Sequence, residues 1–283
     1  MAAARKPKWG PRQKLLFIPL CFILTFLLLA LANLRHYQKI ALHRTAVRLG
    51  LTPLSYASQN GQDMYVYSRH FARRPKRLGG VFVEFGASDG VSNSNTYFFE
   101  TKLGWKGICV EAVKRDYESM RRVRPGCEAV HGAVLSHCEK ETATIVQTPF
   151  QGTAGVRGHE LDGGHVRASD MGAVWRGKVR EYEVPCFTLE VLLRRAGYKH
   201  VDYLSIDTEG GELELVEAFP WSEFRIDVVQ IEAVSRTLKN KLDRVSIISA
   251  MLERGYSLDA ELSVVKEQAT TDLIFVRGDE QPG

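Results

Sequence analysis

Short apolar segments alternate with amphipathic ones along most of the chain. Apolar runs of strand length stand at 80–86, 107–111, 128–134, 142–147, 181–187, 201–206, 224–232, 256–259 and 272–276. They are bounded by turn residues, as buried strands are. Segments with helical spacing separate most of them, at 95–102, 115–124, 188–197, 212–219 and 238–254. Strands that alternate with helices predict an α/β, doubly wound fold around a mostly parallel sheet.

The first predicted strand ends in a polar turn that contains two glycines. Gly86 and Gly90 lie in this turn beside the acids Glu84 and Asp89. Asn95 suits the N-cap of the following helix and is also a candidate cofactor contact. Strand, glycine turn and helix form the nucleotide-binding start of a doubly wound sheet. The spacing Glu-x-Gly-x-x-x-Gly differs from the Gly-x-Gly-x-x-Gly of dinucleotide sites. It favours S-adenosylmethionine, whose sulfonium and amino acid groups need carboxylates, although an ordinary strand and turn also fits.

Acidic residues end the later strands as well. Glu111 closes the second strand, Glu232 closes the fifth, and Asp207, Glu209 and Glu212 follow the fourth. Ligands of such sheets bind at these strand ends. Glu111 can accept both hydroxyls of a ribose, or it is a charge stabilised by a helix dipole. Asp207 and Glu209 are candidate catalytic residues, as a general base or as ligands of a divalent cation, whereas Glu212 fits the acidic first turn of a helix.

The segment 149–180 interrupts the alternation of strands and helices. It contains seven glycines among charged residues and shows neither helical nor strand periodicity. Such a long irregular segment is usually a functional lid or is disordered. His159 and His165 within it are candidate bases or substrate contacts, or they are plain surface residues.

Residues 15–32 form an uncharged apolar run interrupted only by Pro19 and Thr25. This length fits a membrane-spanning signal anchor, which needs ~17–25 apolar residues. A cleaved secretory signal, with small residues at Ala30-Leu31-Ala32, and a mitochondrial presequence are the alternatives. Five basic residues precede the run and four follow it, which barely favours a cytoplasmic N-terminus.

Charge is unevenly distributed along the 283 residues. The first 48 residues hold nine of the 38 Lys and Arg and no acid, so the remainder carries 29 basic against 33 acidic residues. A mildly acidic folded part argues against a nucleic-acid partner, which would require phosphate neutralisation.

Four cysteines lie beyond the apolar run. Cys109 falls in an apolar strand and is expected to be a buried free thiol. Cys127 and Cys138 bracket a short strand and could pair in an oxidising lumen.

Several of these stretches together resemble the FkbM-type S-adenosylmethionine-dependent methyltransferase domain. The resemblance to its start lies in Phe82–Gly90, Ser94–Thr96, Phe99–Glu100, Leu103–Gly107 and Val110–Glu111, and its second signature is similar to Asp202–Glu212. Residues 58–63 and 272–277 match the edges of the domain.

The resemblance implies a Rossmann-like sheet of seven strands and O-methylation of a hydroxyl, often on a sugar or glycan. It assigns Glu84, Gly86, Asp89, Gly90 and Glu111 to the cofactor S-adenosylmethionine and places Asp207 at the reacting centre. It indicates no metal and leaves the acceptor open.

We therefore expect five parts. These are a basic tail at 1–14, a single transmembrane anchor at 15–32, a stem at 33–55, the methyltransferase-like domain at 56–277 and a tail at 278–283. The expected protein is a single-pass membrane methyltransferase of the Golgi or endoplasmic reticulum with its domain in the lumen. The layout also resembles Star proteins, so the alternative is a catalytically silent membrane protein that acts in secretory-pathway trafficking. The oligomeric state stays open.

Overall fold

A central sheet of seven strands organises the computed structural model of the chain. In chain order, the described strands are β1 (Val81–Phe85), β2 (Lys106–Glu111), β3 (Cys127–His131), β4 (Ala133–Val134), β5 (Thr142–Gln147), β6 (Ala154–Val156), β7 (Arg180–Phe187), β8 (His200–Ile206), β9 (Arg225–Val234), β10 (Tyr256–Leu262) and β11 (Thr270–Arg277). The helices are α1 (Gln62–Val66), continued by a π-helical turn at Tyr67–Phe71, then α2 (Tyr97–Leu103), α3 (Lys114–Val123), α4 (Leu189–Ala196), α5 (Glu212–Ala218) and α6 (Leu238–Glu253).

The central sheet has the strand order β10-β11-β9-β8-β1-β2-β3. β11 runs antiparallel to both of its neighbours, and the other pairs are parallel. This arrangement confirms the predicted α/β, Rossmann-like fold with a mostly parallel sheet. The carboxyl ends of β2, β1, β8 and β9 consequently meet at one edge of the sheet.

Helices cover both faces of the central sheet. Successive residues of a strand point to opposite faces, so neighbouring residues of β1 pack into different layers. Val83 and Phe85 pack into the apolar layer that contains α4, α5 and α6. Phe82 packs into the opposite layer, with Phe98 of α2 and Met120 of α3. Glu84 therefore shares the face of Phe82, and its carboxylate is buried beneath these two helices.

A second, smaller sheet has the strand order β4-β7-β5-β6. The prediction of a single strand over 128–134 is wrong, because Gly132 divides the run into β3 of the central sheet and β4 of the smaller sheet. A Cβ on Gly132 would stand 2.5 Å from the Pro185 carbonyl oxygen and 2.7 Å from the Phe187 ring. Only glycine fits where the chain changes sheets.

A disulfide joins Cys138 to Cys186 across 48 residues. The pairing of Cys127 with Cys138, which the sequence left as one possibility, does not form. β4 pairs with the end of β7, with Ala133 opposite Cys186, which brings Cys186 close to the segment that follows β4. Cys127 is a partly buried free thiol, and Cys109 is buried and free as predicted.

The structure describes residues 56–72, 79–147, 154–157, 180–234, 238–262 and 270–280. The predicted anchor at 15–32, the tail before it and the stem at 33–55 lie outside this part, as do His159 and His165. Within the described ranges, no helix has the length and apolar character required to cross a membrane.

Candidate functional site

The turn after β1 and the end of β8 touch at the carboxyl edge of the sheet. Gly86 has a φ of 72°, and the carbonyl oxygen of Asp207 fills the space where its Cβ would stand. The amides of Gly86 and Ala87 donate to the carbonyl of Val110 on the other side, at 3.1 and 3.2 Å. The glycine lets three strand ends converge, because a side chain there would separate them.

Glu84 holds the predicted cofactor turn to β1. One of its carboxylate oxygens accepts the backbone N–H of Asn95 at 2.6 Å. The other accepts the hydroxyls of Ser94 at 2.9 Å and Thr96 at 2.6 Å. Glu84 is only 1% exposed, and a buried carboxylate requires hydrogen-bond partners. These three bonds provide them. All of the described contacts of Glu84 are therefore with the protein, and its predicted contact with a cofactor stays a prediction.

Arg124 supplies the positive charge in this buried cluster. Its Nη1 lies 3.4 Å from Glu84, and its Nε donates to Glu100 at 2.5 Å. Nη1 also donates to the carbonyl of Gly90 at 3.2 Å, and a Cβ on Gly90 would stand 2.9 Å from the Arg124 side chain. The guanidinium therefore connects α3 to both ends of the turn that Glu84 anchors.

Asp89 and Asn95 shape the turn between these anchor points. Asp89 accepts the backbone N–H groups of Val91 at 3.0 Å and Ser92 at 2.7 Å through one oxygen. Asn95 is buried, and its Nδ2 donates to the Ser205 hydroxyl of β8 at 2.9 Å. Its Oδ1 is buried and has no hydrogen-bond partner among the described residues. This free acceptor gives Asn95 capacity for a ligand donor.

Glu111 ends β2 beside the same turn. Its Oε2 accepts the backbone N–H of Ser88 and its Oε1 accepts that of Val113, each at 2.7 Å. Burial raises the pKa of this carboxyl to about 7, although hydrogen bonds from the backbone of Val113, Ser88 and Ala112 lower it. A carboxylate has about four acceptor positions, so Glu111 retains capacity for hydroxyl donors after these bonds.

Asp207, Glu209 and Glu232 bring their carboxylates together at the ends of β8 and β9. One oxygen from each lies within 4.8 Å of the others. Burial raises the pKa of Asp207 well above its ordinary value, and the charge of Glu232 and a hydrogen bond between the two carboxyls raise it further. Burial and the charge of Glu209 raise the pKa of Glu232 to about 8. At neutral pH this pair of carboxyls therefore retains a proton.

These three carboxylates could also hold a cation, since hard divalent cations take oxygen ligands. A second group, His200, Asp202 and Asp227, meets the same distance criterion. In that group Arg225 already donates to Asp227 at 2.9 Å, and Asp202 accepts the backbone N–H of Val81 at 2.8 Å. Its residues lie at the opposite ends of the strands and serve there as ion-pair and hydrogen-bond partners.

Sequence reasoning did not assign roles to two residues of this region. Arg124 is one of several arginines at the end of a charged helix, and nothing in the pattern separates it from Arg121 and Arg122. The sequence places Glu232 at a strand end and indicates no role for it. Glu212 conforms to its expected place in the first turn of α5, where it accepts the Thr208 hydroxyl at 2.9 Å and the Gly210 N–H at 2.9 Å.

Comparisons with solved structures return distant methyltransferases. The chain is similar to Aeropyrum pernix fibrillarin in complex with natively bound S-adenosyl-L-methionine, with 11% identity, 77% of this chain and 74% of that chain covered, and a TM-score of 0.42. It is similar to a TehB-like SAM-dependent methyltransferase from Corynebacterium glutamicum, with 9% identity, 86% and 98% coverage and a TM-score of 0.39. It is also similar to a methyltransferase from Pyrococcus furiosus, with 16% identity, 86% of this chain and 98% of that chain covered, and a TM-score of 0.38.

A comparison with curated protein sequences finds no match. The sequence model of the methyltransferase FkbM domain matches residues 84–258, from the anchoring acid of β1 to β10. This match spans more than half of the chain and includes the turn after β1, Glu111, and the acids that end β8 and β9. The chain therefore belongs to the FkbM methyltransferase domain family.

Proposed function

We propose that the protein is an S-adenosylmethionine-dependent O-methyltransferase that acts on a hydroxyl of a sugar or glycan from a membrane anchor in the secretory pathway. Methyltransferase identity and the cofactor S-adenosylmethionine follow from family membership. The observation that supports oxygen as the acceptor atom is the meeting of the Asp207 and Glu232 carboxyls at the carboxyl ends of β8 and β9, where burial raises the pKa of both.

The residues around the turn after β1 fit the cofactor. Glu111 has free acceptor capacity for ribose hydroxyls, and the buried Oδ1 of Asn95 lacks a partner in the described part of the chain. Gly86 contributes by letting the backbone of the turn contact the Asp207 carbonyl. Bound S-adenosylmethionine supplies an electrophilic methyl group for an in-line displacement. The protein contributes to the rate by aligning that methyl group with the acceptor oxygen.

Asp207 is the proposed general base. A base works best when its pKa is close to the working pH, and an ordinary aspartate is too weak to remove a proton from an alcohol. Burial and the neighbouring carboxyl of Glu232 raise the pKa of Asp207 and so increase its basicity. Glu209 has a φ of 58° and lies within the same group of carboxylates. We assign it a supporting role, and His159 remains a second candidate base from the glycine-rich segment.

The disulfide between Cys138 and Cys186 supports the proposed location. Disulfides persist in oxidising compartments and are rare in the cytosol. A lumenal domain behind an anchor at 15–32 would meet that condition, in the Golgi or the endoplasmic reticulum. Neither a nucleic-acid partner nor a resident metal is part of this proposal.

Calorimetric titration of the full chain in detergent with S-adenosylmethionine tests the first step. We expect saturable binding, and the absence of binding at millimolar cofactor would favour a catalytically silent trafficking protein. Transfer of radiolabelled methyl groups to a panel of mono- and oligosaccharides tests the second step. Transfer by the wild type and loss of transfer by Asp207→Asn, with cofactor binding retained, is the expected result. Transfer only to amine or carboxyl acceptors would contradict the assignment of a hydroxyl.

A further inference from the structure

The smaller sheet begins beside the residue that ends β2. The carbonyl of Glu111 accepts the backbone N–H of Gly132 at 3.1 Å, directly before β4 starts. Ala112, the residue after Glu111, packs against the apolar cluster of the smaller sheet, which includes Ala133 and Ile145. One face of this sheet therefore adjoins the acid that we assign to the ribose of the cofactor.

Tyr182 of β7 lies on the same face of the smaller sheet. It pairs with Ile145 of β5 across the strands, and it packs against the same apolar cluster as Ala112. Its hydroxyl donates to the Oε1 of Gln147 at 3.3 Å, which fixes the orientation of the ring. Because Tyr182 is only partly buried, the ring rests on the sheet and keeps a surface that a ligand can contact.

The carboxylates around the end of β2 act on the Tyr182 hydroxyl. Burial raises the pKa of Tyr182 to about 12, and the charges of Glu111 and Asp116 raise it further. Charges in salt solution are largely screened beyond ~10 Å, so both carboxylates lie in the neighbourhood of this phenol. Packing and electrostatics therefore agree that the ring stands close to the end of β2.

We propose that Tyr182 is the aromatic platform on which the adenine of bound S-adenosylmethionine stacks. This inference rests on the proposed contact between Glu111 and the ribose hydroxyls of the cofactor. Adenine is attached to that same ribose, so a cofactor held at Glu111 carries its base to the adjoining face of the smaller sheet. Aromatic side chains stack on bases through their π faces. The smaller sheet thus completes the cofactor site that the strand ends of the central sheet begin.

Titration calorimetry of the full chain in detergent tests the contribution of the ring. Tyr182→Ala should raise the Kd for S-adenosylmethionine roughly 5- to 150-fold, which is the range for the loss of one stacked base. Tyr182→Phe keeps the ring and should bind nearly as tightly as the wild type. Tyr198→Ala is the matched control, because Tyr198 is also partly buried but packs against the core of the central sheet, and its Kd should stay unchanged. Equal weakening in Tyr182→Ala and Tyr182→Phe would assign the effect to the hydroxyl and overturn the stacking.

Fluorescence tests the position of the base independently of affinity. Tyr182→Trp should be quenched when the cofactor binds, because an indole stacked on adenine loses fluorescence, whereas Tyr198→Trp should change no more than the wild type. The wild type, which has four tryptophans, provides the background. If the wild type binds the cofactor, an unchanged Kd in Tyr182→Ala or an unquenched Tyr182→Trp would overturn this inference and leave the proposed function intact. Absence of binding by the wild type would contradict the proposed function and this inference together.

Discussion

The carbonyl oxygen of Asp207 occupies the space in which a side chain on Gly86 would begin. This relationship joins the turn after β1 to the proposed catalytic acid at the end of β8, through backbone rather than through side chains. The cofactor turn and the backbone of the proposed base are therefore in direct contact. Any substitution at Gly86 must displace the backbone that carries Asp207.

We expect Gly86→Ala to lower both stability and cofactor affinity, because it adds a steric clash to an unfavourable φ of 72°. Gly104→Ala is the matched control, since Gly104 has a φ of 68° and nothing within 4 Å of its Cβ position. The control should lose ~1 kcal/mol, and Gly86→Ala should lose clearly more, measured by urea unfolding. Equal losses in the two variants would show that the contact with Asp207 is unimportant.

Arg124→Met should destabilise the fold by ~3–5 kcal/mol, because it leaves the buried carboxylates of Glu84 and Glu100 without their counterion. The same change should weaken cofactor binding, since Arg124 also holds the carbonyl of Gly90. Arg194→Met is the control, because the ion pairs of Arg194 with Glu190 and Glu223 are on the surface. Its unfolding curve should coincide with that of the wild type. Thermal and urea unfolding of both variants measure the difference.

Glu84 and Arg124 also show which features of the site the sequence predicts and which depend on packing. The apolar run at 81–85 predicts a buried strand, and the glycine spacing after it predicts a cofactor turn. The partner of Glu84 lies 40 residues later, at the end of a helix with three arginines, and only the packing of α3 against β1 selects Arg124. The same holds for Cys138 and Cys186, whose pairing depends on the contact between β4 and β7.

The hydrophobic pattern does not predict the break at Gly132, for a different reason. An apolar run through 128–134 fits one strand as well as two, and periodicity carries no information about which sheet a strand joins. Glu232 was recognisable as a strand end from its place in the chain. Its proximity to Asp207 required the parallel pairing of β8 with β9, which aligns Ile206 with Ile231 and so brings both strand ends to one level.

Affinity for S-adenosylmethionine should rise between pH 6 and pH 8. Glu111 has a pKa of about 7, raised by burial, and its ionised form is the better acceptor of ribose hydroxyl bonds. Ionisation increases from roughly a tenth to roughly nine tenths over this interval, so the affinity should rise up to ~10-fold. Glu111→Gln should bind more weakly and lose this part of the pH dependence. Titration calorimetry at several pH values measures both, and the variant corrects for titration of the cofactor itself. An unchanged pH profile in Glu111→Gln would remove Glu111 from the binding site.

Glu232→Gln should move the pH dependence of methyl transfer to lower pH. In the wild type, burial raises the pKa of Glu232 to about 8 and that of Asp207 well above its usual range. The pair therefore loses its proton only under mildly alkaline conditions, and the rate should rise with pH through about 8. Glutamine removes one negative charge and can donate its amide hydrogen to the Asp207 carboxylate. Both effects favour the ionised form of Asp207, so the midpoint of the rate profile should fall by about one pH unit or more.

The same substitution has a consequence for stability whose sign follows from the direction of the shift. An acid with a pKa raised by folding binds a proton in the native state at pH values where the unfolded chain has released it. The free energy of unfolding of the wild type should therefore decrease as the pH rises from about 5 to about 8, and the decrease should be smaller in Glu232→Gln. Glu214→Gln is the control, because Glu214 is exposed on α5 and its replacement should change neither profile. A rate profile that keeps its midpoint in Glu232→Gln, together with an unchanged pH dependence of stability, would show that Glu232 and Asp207 titrate independently and that Asp207 does not owe its basicity to this neighbour.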